Sequence, residues 1–308
     1  MKALLRAVAS LGLLALVFYF AGPQRLFSAF ANANPAWLVV AFASAVIASL
    51  ASALRWHALT EWLGLSARRG QLIAAYYRGM AINTVLPGAT LGGDALRALH
   101  VQRLGNPLAS VAASVALDRM SGLWVLIVIA LTATASVQFS GLLPPRVLPG
   151  PAFLTFACAL GALLSPLLIW RASRAWHMHM PDAIERALAA LHDRPAPLAH
   201  LARQFVWSAT VQGFSILAFA LAGRAMGLDL PFWLFIIASG PVFILAALPV
   251  SIGGWGTREA AAAVVLGHFG ASTELAVATA ILYGLFAALQ GGLGALSLLI
   301  SKPSNQEK

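Results

Sequence analysis

Leu86-Pro87-Gly88-Ala89-Thr90-Leu91-Gly92-Gly93-Asp94-Ala95-Leu96-Arg97 and Leu248-Pro249-Val250-Ser251-Ile252-Gly253-Gly254-Trp255-Gly256-Thr257-Arg258 repeat one pattern: Leu-Pro, a short spacer, then Gly-Gly-x-x-x-Arg. Proline removes a backbone donor and glycine tolerates turns that other residues resist, so each copy is expected to end one apolar helix and open another. Gly92 and Gly253 are separated by the same number of residues as Arg97 and Arg258, which marks an internal repeat. In membrane transporters, a matched pair of Gly/Pro-interrupted segments points to the substrate site.

The surroundings of the two copies are those of a membrane protein. The chain has 308 residues, of which 60% are hydrophobic and 10% charged, with a mean hydropathy of +0.83. Its apolar runs exceed what one soluble core could bury. Runs long enough to cross ~30 Å of hydrocarbon fall at residues 4–22, 35–54, 107–135, 151–170, 204–226 and 272–300. Two further segments, 71–104 and 231–268, carry the motifs and fail as single spans, because their second halves are too polar or too short. The expected fold is an all-α polytopic membrane protein of about six transmembrane helices plus two re-entrant helix-loop-helix hairpins. One domain covers 1–308: a first span and outer loop (1–34), repeat 1 (35–135), a connecting span with a cytoplasmic insertion (136–203), repeat 2 (204–300) and a tail (301–308).

The net charge is +10, and the placement of the cations orients this arrangement. In the six-span layout most cations, among them Lys2, Arg6, Arg55, Arg68, Arg69, Arg103, Arg171 and Arg203, fall on one side, and only Arg25, Arg146 and Arg224 on the other. The positive-inside rule then makes both termini cytoplasmic. The hairpins enter from opposite faces, so the repeats have inverted topology. The basic residues meet anionic lipid rather than nucleic acid, since no basic stripe with interleaved aromatics is present. Met1 to Gly22 starts like a signal peptide, yet Tyr19-Phe20-Ala21 occupies the place of a cleavage site, so it reads as a retained span. Cys158 is the single cysteine and excludes an internal disulfide framework.

Charges inside the apolar segments are the candidates for chemistry. Asp94 follows Gly92-Gly93 as an N-cap would, and Thr257 holds the same place before Arg258. Capping and anion binding at exposed helix N-termini are compatible readings of both. Arg97 and Arg258 either present guanidiniums near the broken points or snorkel to an interface. Asp118-Arg119 interrupts an apolar span about 18 Å beyond Asn106 at ~1.5 Å per residue, near the midplane. Adjacent helical residues point ~100° apart, so Asp118 and Arg119 are expected to take different partners. The matching place in repeat 2, near Tyr283-Gly284, has no charge, and Glu259 is placed to neutralise an arginine. His177-Met178-His179-Met180 has the wrong spacing for a shared helix face and reads as an amphipathic interfacial patch, continued by 182–193. No metal site and no cofactor are implied. A P-loop, H-E-x-x-H, G-x-S-x-G and catalytically spaced carboxylates are all absent from the sequence, which favours a transporter over an enzyme.

Leu86-Pro87-Gly88 through Arg97, Leu117-Asp118-Arg119, and Pro249 through Glu259 together resemble the flippase-like transmembrane domain of lysylphosphatidylglycerol synthases over nearly the whole chain. In that family the domain is implicated in moving aminoacylated phospholipid between leaflets, while a soluble C-terminal domain performs the aminoacyl transfer. The sequence reaches Lys308 just past its last span, so the resemblance implies a stand-alone, flippase-like protein of a cell inner membrane whose cargo is another lipid. The leading expectation is a transporter for a lipid with an anionic, phosphate-bearing headgroup. Gly92, Gly93, Asp94, Arg97, Asp118, Arg119, Gly253, Gly254, Trp255, Thr257, Arg258 and Glu259 would form its binding site. The alternatives are a membrane partner that presents lipid to a separate glycosyltransferase or synthase, and a lipid-modifying membrane enzyme.

Overall fold

The computed structural model of the protein describes residues 12, 15–85, 89–142, 148–175, 194–248 and 253–300, all helix or short connections with no strand among them. Among the described residues ten helices are delimited, in order: α1 (Pro23–Ala31), α2 (Pro35–Trp62), α3 (Arg69–Val85), α4 (Ala89–Gln102), α5 (Leu108–Ser140), α6 (Ala152–Ala175), α7 (Pro197–Ala225), α8 (Phe232–Ala247), α9 (Thr257–His268) and α10 (Thr273–Ile300). Five of them, α2, α5, α6, α7 and α10, are long and apolar enough to cross a membrane. The protein is an all-helical polytopic membrane protein. Of the expected first span, residues 15–21 are helical and most of the rest lies outside the described residues, as do His177–Met180 and 182–193.

Local chemistry accounts for the helix starts. Asn34 accepts from the N–H groups of Ala36 and Trp37 at the head of α2, and Pro35 sits where a missing donor costs nothing. Pro197 has the same place in α7. Both expected hairpins exist as helix pairs, α3 with α4 and α8 with α9, packed arm against arm. The most apolar window of α10 is 61% buried and that of α6 only 6%, so α10 is the central post and α6 lies on the lipid-facing periphery.

The repeats exchange partners. The first arm of each hairpin packs on the closing span of the other repeat: α3 on α10, and α8 on α5. The opening spans α2 and α7 form the most extensive contact among the described helices. They run antiparallel, since Trp62 stacks on His200, Arg203 donates to the Ala58 carbonyl and Arg55 donates to Ser208. Equivalent helices meeting antiparallel is what an inverted repeat requires. Lipid is as apolar as a leucine side chain, so close backbone approach must hold this contact together. The buried positions of α2 supply it with Ala41, Ser44, Ala45, Ala48, Ala51 and Ser52.

Several spans run longer than the sequence reading expected. The second begins at Pro35 as expected but continues to Trp62, the third ends at Ser140 rather than 135, the fourth at Ala175 rather than 170, and the fifth begins at Pro197 rather than 204. Arg55 and Arg203 are therefore helical residues and not loop cations, and Arg55 is buried. Each has a polar partner inside the protein, which removes the cost that would otherwise drive it to an interface.

Candidate functional site

Five charged side chains from three helices form one chain of ion pairs. Arg119 on α5 grips Asp94 on α4 with two bonds, Nε to Oδ2 and Nη2 to Oδ1, both 2.9 Å. Asp94 also accepts from Arg97 at 2.9 Å, and Arg97 reaches on to Asp118 at 3.1 Å. Asp118 accepts from Arg55 on α2 at 2.9 Å, and Arg55 ends the chain on the Ser208 hydroxyl of α7 at 3.2 Å. Asp118 and Arg119 thus take different partners, as their position on one helix requires. Three guanidiniums against two carboxylates leave one positive charge uncompensated. Arg55, Arg97 and Asp118 are buried, so the network survives only by being nearly neutral and hydrogen-bonded throughout.

Packing fixes the geometry. Arg97 lies 4.8 Å from the Trp56 ring centroid and 5.1 Å from that of Tyr76, which adds cation–π attraction on two sides. Trp56 is itself held by its indole N–H on Ser114. Gly122, one turn beyond Asp118, makes room for Arg55: a Cβ there would lie 2.8 Å from Arg55 Nη1.

Arg119 is the exception to burial, with its side chain 48% exposed. With Arg97 it lines a cavity of about 300 Å³ whose walls come from α2, α3, α7 and α10 as well as α4 and α5. Both repeats contribute to it. Its polar lining includes Ser49, Ser52, Asn83, Ser215, Tyr283 and Gln290, together with the apolar Ala45, Ala48, Phe286 and Ala287. A second cavity, about 540 Å³ between α5, α8 and α9, is lined mainly by apolar side chains.

The first motif departs from expectation in one respect. α4 begins at Ala89, ahead of the double glycine, so Asp94 lies inside the helix and is not its N-cap. Its carboxylate serves the arginines instead. Gly93 donates its N–H to Asn83 across the hairpin, and a Cβ at the facing Gly79 would come 2.9 Å from the Gly93 carbonyl, so these glycines let α3 and α4 touch.

The second motif is built differently. Gly253, Gly254 and Gly256 have φ of 55°, 79° and 86°, conformations that favour glycine, and they form the turn before α9. Thr257 is the first residue of α9 and donates to the Gly254 carbonyl, so it is not the cap either. Glu259 accepts the Gly256 N–H at 2.5 Å and two bonds from Arg258, at 3.0 and 2.6 Å. Arg258 stacks 4.9 Å from Trp255, and its guanidinium fills the space left by Gly284 on α10. This pair is buried and closed on itself. Of the sequence candidates, only Arg97 and Arg119 line the 300 Å³ cavity; Asp94 and Asp118 stand directly behind them.

Several residues were not singled out by the sequence reading. Arg55 is the largest omission. α7 also carries a polar line of His200, Gln204, Ser208, Gln212 and Ser215, spaced three or four residues apart and so on one face. Ser208 meets Arg55, Gln212 donates to the Gly122 carbonyl, and Ser215 reaches the cavity. The helical spacing of polar residues within an apolar span was the available signal. Among the described residues no group of acids, histidines and cysteines is arranged to hold a metal ion.

Residues 3–294 match the family model described as the lysylphosphatidylglycerol synthase TM region. A UPF0104 membrane protein of Methanocaldococcus jannaschii is 28% identical over 101 residues, 33% of this chain and 30% of that protein. The matched stretch thus covers under a third of the relative's length.

Proposed function

The chain belongs to the lysylphosphatidylglycerol synthase transmembrane-region family, and on that premise we propose that it moves a lipid with an anionic, phosphate-bearing headgroup between membrane leaflets. The observation that carries this reading is the half-exposed Arg119, at the end of a network with one uncompensated positive charge, facing a polar cavity walled by both repeats. A planar guanidinium recognises phosphate oxygens bidentately, and an anion there would compete with Asp94 for the bonds Arg119 now makes. The headgroup occupies the cavity while acyl chains remain in lipid. Two inverted repeats around one site permit alternating exposure to either side.

The reading places the protein in a cell inner membrane with both termini cytoplasmic, on the loop cations that remain once Arg55 and Arg203 are assigned to helices. In a Cys158→Ser background, single cysteines at Arg68 and Ser272 should label from the cytoplasm and the outside respectively. Labelling of both from one side would refute opposite hairpins. The activity is tested in liposomes by the rate at which a fluorescent anionic lipid in the inner leaflet becomes accessible to a membrane-impermeant quencher. Arg119→Gln should reduce that rate at least tenfold while costing only about 1 kcal/mol of stability, as expected for a partly exposed pair. An unchanged rate would remove Arg119 from the site.

A further inference from the structure

The seam between the opening spans α2 and α7 is satisfied at one end and not at the other. Where α2 begins and α7 ends, Ala41, Ala45, Ala218, Ala222 and Ala225 belong to one apolar cluster, and the Asn34 N–H donates to the Ala225 carbonyl at 2.9 Å. Small side chains let the two backbones close there.

Where α2 ends and α7 begins, the opposite holds. Seven buried side-chain polar atoms among the described residues have no partner, and four of them are both ring nitrogens of His200 and both amide atoms of Gln204. Exchanging the amide atoms or moving the imidazole proton rescues neither side chain, since all four atoms are unpartnered. His200 and Gln204 are 8% and 4% exposed and lie one turn apart on α7. Burial without a partner is costly for each. The adjoining backbone is strained as well: Ala196, with φ 47° and ψ 55°, is the one non-glycine residue of positive φ among the described residues. That region crowds an alanine Cβ against the carbonyl.

Trp62 holds this end shut. Its ring stacks on His200 at 4.1 Å, and its Nε1 donates to the Pro195 carbonyl at 3.0 Å, next to Ala196. Arg203 adds a bond to the Ala58 carbonyl at 2.7 Å. One turn past Gln204, Ser208 meets Arg55 and the seam is satisfied again. Strain persists only where surrounding contacts impose it, and it gathers at segments that switch between two arrangements.

We propose that this end of the α2–α7 seam is a gate, hinged at the alanine cluster, that opens by carrying the start of α7 away from Trp62. Opening lets Ala196 leave the left-handed region and puts the polar atoms of His200 and Gln204 in water. It breaks or remakes the Arg55 bond to Ser208, and it uncovers a route along α7 to Ser215 and along α2 to Ser52, both of which line the 300 Å³ cavity. The gate rests on the lipid-transport reading only for what passes through it.

Spin labels at Glu61→Cys and Leu198→Cys, exposed positions on the two sides of the gate, report its width in Cys158→Ser protein reconstituted in lipid nanodiscs. A closed distance and a second, longer one are expected. His200→Phe keeps a ring on Trp62 without the orphaned nitrogens, and Gln204→Leu fills similar space without polar atoms, so each should lower the longer population about tenfold. Trp62→Ala removes the stack and the Pro195 bond and should raise it by a similar factor. A distribution that no folded variant moves, or a longer population enlarged by His200→Phe and Gln204→Leu, would overturn the gate. Should Trp62→Ala fail to fold, the two closing variants decide alone, since removing unpaired buried groups leaves the fold at least as stable. Distances that respond in a protein that moves no lipid in liposomes would remove the transport reading and keep the gate.

Discussion

Two copies of one motif have been put to different uses. In the first, the glycines lie inside α4 and allow the hairpin arms to touch, while the charges reach outward to α2 and α5 and end on α7. In the second, the glycines make the turn, and the arginine is satisfied by the residue next to it. One is an open network with a surplus positive charge and an exposed end. The other is a closed, neutral pair that also ties down the start of its own helix. A buried arginine must be paired in either case, but only the open arrangement leaves a guanidinium facing a cavity. The two copies share a sequence pattern and a helical hairpin, while the choice of partner decides which copy leaves a guanidinium facing the cavity.

The harshest challenge to this contrast is to remove the acid at the centre of the open network. Asp118→Asn leaves two buried guanidiniums, those of Arg55 and Arg97, short of a carboxylate, and should cost about 3–5 kcal/mol. Pairing it with Arg55→Met should not restore stability, because Asp94 would then be the sole acid shared by Arg97 and Arg119. The midpoint of thermal unfolding in detergent reports both. A single variant as stable as the parent would mean that the five side chains are not one network.

The closed pair should behave in the opposite way. Glu259→Gln alone strands Arg258 and should cost a similar 3–5 kcal/mol, yet Arg258→Met combined with Glu259→Met removes both charges and should recover most of it. About 1 kcal/mol should remain lost, for the Gly256 N–H that Glu259 now receives. The double variant should still move lipid in liposomes, since neither residue lines the cavity. Loss of transport in a stable double variant would give the second motif a share in binding and erase the distinction.

The sequence made the hairpins legible because proline and glycine act locally: a proline lacks the backbone donor that a helix uses, and glycine tolerates the turn that follows. It made the divergence of Asp118 and Arg119 legible because that follows from helix geometry. It could not show that Asp94 faces α5, since the clue that suggested a cap, its place after two glycines, held only if the helix began there. Close packing of Gly93 and Gly79 instead let the helix start earlier, and tertiary contact outweighed the local signal. Arg55 was hidden for another reason. Positive-inside counting treats a cation near the end of an apolar run as a loop residue, and α2 simply continues for two more turns. Whether a cation at that position turns inward depends on Asp118, 63 residues away, which no local rule can supply.

The smallest expected effect concerns how far the open network extends. Ser208 belongs to α7 in repeat 2, is fully buried, and accepts from Arg55. If that contact is part of the network, Ser208→Ala removes a hydrogen bond to a charged group and should cost about 1.5–3 kcal/mol, although local water entering the small gap would pull the value toward 1. Thr210, two residues on, is the control: its hydroxyl is exposed and donates within its own helix to Val206, so Thr210→Ala should stay within about 0.5 kcal/mol. A double-mutant cycle of Ser208→Ala with Arg55→Met should then show coupling, and one of Thr210→Ala with Arg55→Met should show none. Coupling would mean that the site of repeat 1 is held in place by the opening span of repeat 2, so that any movement between α2 and α7 must break or remake the Arg55 bond. Its absence would confine the network to repeat 1 and leave the two opening spans free to shift without disturbing the charges.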